Sequence, residues 1–61
     1  SDNCLNEMLT KIAIRNEVEQ WDGTNISSLI YKLAYITSET KCHSVLLQTI
    51  QNFCNRQEDM A

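Results

Sequence analysis

Proline is absent from the chain and glycine occurs once, at Gly23. Without proline, no helix interior loses an amide donor or collides with its preceding turn. One glycine cannot build the Gly-rich loop that cradles a phosphate, so nucleotide-binding motifs are excluded. Histidine also occurs once, at His43, and no two cysteines are spaced C-x-x-C. A structural zinc site needs about four such ligands gathered together, so the sequence implies no metal and no cofactor. No apolar run approaches the ~18 residues of a membrane span, and no signal-peptide pattern is visible. The five basic residues are spread singly against eight acidic ones, for a net charge of −3. Binding to nucleic acid depends on clustered Lys and Arg that neutralise phosphates. No direct nucleic-acid partner and no membrane are therefore expected.

What remains is 61 residues, a single domain (residues 1–61). The start at Ser1 rather than Met reads as a fragment of a larger protein. A domain this small buries only roughly 60% of the surface its unfolded chain exposes. It gains stability from disulfides, a metal or a partner chain. The cysteines are Cys4, Cys42 and Cys54, an odd count that cannot close into a full disulfide framework. Cys42 and Cys54, read as sharing one helix, stand about 18 Å apart, beyond disulfide reach. Buried thiols in a reducing, intracellular compartment are the simpler expectation. The sequence Asn25-Ile26-Ser27 matches the glycosylation acceptor pattern, but free thiols argue that it never meets the glycosylating machinery. A partner chain is then the expected source of extra stability.

Strong helix formers fill the periodic segments, so the chain reads as all-α. The first helix runs from about Asn3 to Gln20, with Asp2 or Asn3 able to cap it. Glu7 and Lys11 are spaced i,i+4 in the favourable order. Asp22-Gly23 signals a turn, and Thr24 or Asn25 caps a second helix over about 25–38. The run TSET marks the next break, with Ser38 or Thr40 capping a third helix over about 40–57. The tail EDMA is expected to fray. A strand through Ile12, Ile14 and Val18 is the alternative for the first segment; Glu17, Glu19 and Gln20 argue against it.

At ~100° per residue, the second helix carries an apolar stripe of Ile26, Leu29, Ile30, Leu33, Ala34 and Ile36. Tyr31 and Tyr35 lie on its reverse, one turn apart. The third helix carries Cys42, Val45, Leu46, Thr49, Ile50 and Phe53, widened by Leu47 and Cys54 beyond an ordinary surface stripe. The first helix is apolar on two opposite sides. Leu5, Met8, Leu9 and Ile12 face one way; Ile14, Val18 and Trp21 face the other. One stripe per helix suffices for a three-helix core. The expectation is therefore that the first set closes the core. Ile14, Val18, Trp21 and Leu47 are then surplus and meet a partner, with Tyr31 and Tyr35 as further anchors. A kink near Arg15 and Asn16 is the alternative, since it would return both halves to one core. Surface tyrosines beside serines are also ordinary, without any partner.

Catalytic chemistry is not expected. Cys42 and His43 are adjacent, but helical neighbours point ~100° apart and cannot share a substrate. Glu17, Glu19, Glu39, Glu58 and Asp59 form no close inward pair. A helix-turn-helix reader of DNA would need basic groups beside its recognition helix, and the third helix has only Lys41 and Arg56 near its ends.

The expected object is a small three-helix bundle packed into a helical oligomer. Its expected role is a non-catalytic self-association module, a dimer or tetramer, within a larger scaffold. The alternative is an adaptor that binds an amphipathic helix of another protein. The runs ISSLIYKLAYI (26–36) and SVLLQTIQNF (44–53) are generic amphipathic helices with no diagnostic motif. Over its full length, the small Asn/Ser/Ile-rich chain resembles, in size and character, the C-terminal tetramerisation module of the yeast Rap-interacting telomere scaffold. That resemblance implies a nuclear scaffold in which linked weak modules raise avidity. It carries over no functional residue.

Overall fold

A computed structural model describes residues 4–60. Three helices follow one another: α1 (Glu7–Gln20), α2 (Ile26–Thr40) and α3 (His43–Met60). Each packs on the other two, giving a small all-α three-helix bundle. Cys4 lies beside Cys42 at one end, and Trp21 lies against Phe53 at the other. α1 and α3 therefore run in the same sense, with α2 returning between them.

Local chemistry sets most of the boundaries. Glu7 and Lys11 form the expected ion pair at 3.4 Å on α1. α1 begins later than expected: Asn6 occupies the cap position without a side-chain bond. The proposed caps Asp2 and Asn3 lie outside the described residues. α1 runs unbroken past Arg15 and Asn16 to Gln20. The turn follows Asp22-Gly23 as expected. Gly23 has φ +88°, a backbone state that side chains with a Cβ resist. Asp22 Oδ1 accepts from the Thr24 amide at 2.8 Å and the Thr24 hydroxyl at 2.7 Å. Asn25 then caps α2, its Oδ1 accepting from the Ser28 amide at 3.2 Å.

The α2–α3 boundary falls later than TSET. Threonine hydroxyls can bond back to a carbonyl one turn earlier instead of capping the next helix. Thr37 and Thr40 do so, donating to Ala34 at 3.0 Å and Ile36 at 3.1 Å. α2 consequently runs through Thr40 and stops at Lys41, which takes the left-handed conformation at φ 61°. The Cys42 amide donates back to the Thr37 carbonyl at 3.2 Å, the six-to-one bond of a Schellman stop. α3 starts at His43 and continues to Met60, past the expected end near Gln57.

Two expectations are overturned in the core. Ile14, Leu29, Leu33, Cys42 and Val45 are its buried hydrophobic residues, with Val18, Trp21, Ile36, Leu46 and Phe53 packed against them. α1 thus turns Ile14, Val18 and Trp21 inward, not Leu5, Met8, Leu9 and Ile12. The cysteines are not all thiols: Cys4 and Cys42 form a disulfide, with Cα atoms 4.7 Å apart. Cys54, placed on the widened core stripe by its spacing, is an exposed free thiol. Bundle topology explains the pairing. An antiparallel α1–α2 hairpin returns the chain to its starting end, where Cys4 meets the α2–α3 turn.

Candidate protein-interaction surface

The inward face of α1 passes through Thr10, Ile14 and Val18 and is continued by Trp21, the residue that ends the helix. Thr10 is fully buried, and both its amide and its hydroxyl donate to the Asn6 carbonyl, at 2.9 Å and 2.8 Å. A buried hydroxyl needs such a partner. The threonine can therefore be buried with its hydroxyl satisfied. Further along, Trp21 packs edge-on to Phe53 with ring centroids 6.1 Å apart. Its indole Nε1 donates to the Thr24 carbonyl. The side chain is thus covered by its own α3 and its own turn.

With that face inside, helical geometry forces the other apolar set outward. With Leu5 just before the helix and successive helical positions rotating by ~100°, Leu5, Met8, Leu9 and Ile12 are all exposed, the last three on one stripe nearly opposite Ile14. The four are 87%, 74%, 63% and 55% exposed. Three large apolar groups on one convex face, with Leu5 just before them, are more than scattered surface hydrophobics. The sequence marks these residues plainly, and only their assignment to the core kept them from being read as surface.

The other expected contact residues divide differently. Ile14 is buried, and Val18 and Trp21 are half-buried within the chain's own core, so these three are corrected from surface to core. Tyr31 and Tyr35 remain exposed, one turn apart on α2, and Leu47 is exposed on α3. The structure brings the first three together inside and leaves the last three outside.

A second apolar feature lies between α2 and α3. Leu29 and Leu33 contribute to its floor, Ile26, Ile30 and Ile50 to its walls, and Trp21 and Phe53 meet at one end. It is an open groove, not an enclosed cavity. Between α1 and α3 a more polar groove gathers Lys11, Arg15 and Arg56 with Glu19. Three basic residues that are scattered in sequence thus share one groove, although Lys11 is paired with Glu7.

Among the described residues, Cys42 and His43 form no nucleophile–base pair. The Cys42 sulfur is bonded to Cys4, so it offers no thiolate beside His43. Among the described residues no three His, Cys, Asp or Glu side chains cluster to hold a metal. No helix there is long and apolar enough to cross a membrane. At Asp22 the Thr24 hydroxyl, then the Thr24 amide, hold the carboxyl below the usual range. Both bonds belong to the turn. No protein-family model matches the chain, and no curated protein or solved structure matches it either.

Proposed function

We propose that the chain is a non-catalytic self-association module, a dimer or tetramer, that pairs copies through the outer face of α1. The observation that carries this reading is the exposed stripe of Met8, Leu9 and Ile12, with exposed Leu5 just before it. Burying a large apolar side chain contributes roughly 1.5–3 kcal/mol. In a two-fold pair each protomer supplies the same patch, so the contribution is doubled. Such a sum is comparable with the ~4–15 kcal/mol that association costs. Helix-on-helix packing suits a straight stripe of unbranched and branched aliphatic groups. Tyr31, Tyr35 and Leu47 would then serve a second contact if the assembly exceeds a dimer.

The Cys4–Cys42 bridge bears on where this happens. Disulfides persist in oxidising compartments, and we infer that the module matures in one. The resemblance to a nuclear tetramerisation module agrees with self-association. Its nuclear setting does not agree with the bridge, because a reducing nucleus would leave both thiols free.

Light scattering across a concentration series tests the proposal. Mass should rise with concentration for the wild type. It should stay at one protomer for Leu9→Glu/Ile12→Glu, with helicity unchanged. A wild type that is monomeric throughout overturns self-association. That result would favour the second reading, an adaptor whose α2–α3 groove accepts an amphipathic helix from another protein. The apolar lining of that groove is the observation behind it.

A further inference from the structure

We infer that Asn25 is an acceptor for an N-linked glycan. Asn25-Ile26-Ser27 has the Asn-x-Ser spacing with a residue other than proline between, the pattern read at surface loops of secreted proteins. Two of the three cysteines are bridged, and such a bridge persists in an oxidising compartment, where the acceptor pattern is read; Cys54 alone stays a thiol. Local geometry supplies the second requirement, access. Asn25, Ile26, Ser27 and Ser28 are all exposed, at the point where the turn enters α2. Asn25 stands in the left-handed region at φ 46°, which asparagine tolerates better than most residues.

The cap and the glycan use different atoms of the same amide. Oδ1 accepts the Ser28 amide at 3.2 Å, while glycosylation takes place at Nδ2. In the transfer, the C1–O bond to the pyrophosphate of a lipid-linked oligosaccharide breaks. The departing pyrophosphate keeps that electron pair. A bond forms from Asn25 Nδ2 to C1, Nδ2 gives one proton to a base of the transferase, and nothing is oxidised or reduced. The substituted amide keeps Oδ1 as an acceptor, so the α2 cap survives modification.

Position gives the glycan a consequence. Asn25 borders the apolar α2–α3 groove, beside Trp21 and Gly23. Asn25 also borders the polar groove of Glu17, Ser28 and Lys32, so a sugar there stands at the shared rim of the two grooves. The outer stripe of α1 ends at Ile12, about 13 Å along the helix axis from Trp21 at ~1.5 Å per residue, and faces away from it. The glycan would therefore hinder entry into the apolar groove and leave the α1 face open.

The test is expression of the whole chain behind a secretion leader in a eukaryotic cell. Chain from both lysate and medium is then compared before and after peptide-N-glycosidase treatment. The expected result is a glycan-sized mass increment that the glycosidase removes. It should vanish in Asn25→Asp, which keeps an Oδ1 cap, and in Ser27→Ala, with the helical circular dichroism of both variants preserved. An unmodified wild-type mass in both lysate and medium overturns the inference. So does an increment that persists in both variants.

Discussion

Ile12 and Ile14 are the same residue two positions apart on one helix, and they live in different worlds. Ile14 is 3% exposed and Ile12 is 55% exposed. The first touches a core built by all three helices; the second stands with Met8 and Leu9 on a bare apolar face. Composition and helix propensity cannot tell them apart. What separates them is attachment at the two ends of α1. The disulfide fixes one end against the α2–α3 turn, and the Trp21–Phe53 contact fixes the other. Once both ends are held, the helix can present only one side to the core. An apolar face is thus core or exposed surface according to how its helix is anchored, not according to its own hydrophobicity.

The comparison is broken most severely by removing the anchor. Cys4→Ala/Cys42→Ala opens a covalent loop spanning a sequence separation of 38. In the chain-entropy account this costs about 4 kcal/mol, read as a large drop in the urea midpoint. Next comes the matched pair. Ile14→Ala should cost about 3 kcal/mol, since it opens a cavity in a core that relaxes only partly. Ile12→Ala should stay within about 0.5 kcal/mol when melted at a concentration where the chain is monomeric. Equal losses from the two would erase the distinction. Gly23→Ala should cost about 1 kcal/mol, because alanine is strained at positive φ; nothing lies within 4 Å to clash with the added carbon, so this isolates the backbone contribution. The smallest effect is the acid dependence at Asp22. Its folded pKa is lowered from 3.8, so its contribution is present above that value. It is lost as pH falls through the lower folded value, because the unfolded state takes up the proton first. A slight loss of thermal stability across that window should disappear in Asp22→Asn.

Much of the architecture was legible from residue types alone. The count of helices, the Asp22-Gly23 turn, the Asn25 cap and the Glu7–Lys11 pair each depend on neighbours a few positions apart. The end of α2 did not follow, because threonine has two local uses. Thr40, one of the two caps expected for α3, bonds backward instead, as Thr37 does a turn earlier. The inward face of α1 was harder. Both its faces are apolar, so periodicity offers two solutions and cannot rank them. The deciding contacts, Cys4 with Cys42 and Trp21 with Phe53, are long-range. The cysteine pair was still within reach of reasoning: two antiparallel helices bring the chain back to where it began, and Cys4 and Cys42 sit at those two points. The scattered Lys11, Arg15 and Arg56 come to line one groove because α1 and α3 run side by side.

The bridge also changes how tension would pass through the molecule. Cys4 and Cys42 enclose α1 and α2 completely, while α3 lies beyond the closure. A pull applied to the flanking chain would run from Cys4 straight across the sulfur atoms into Cys42 and on through α3. The α1–α2 hairpin would carry no load and could not be drawn out. Under force, α3 alone would peel away, and the ring holding the outer stripe of α1 would remain covalently closed.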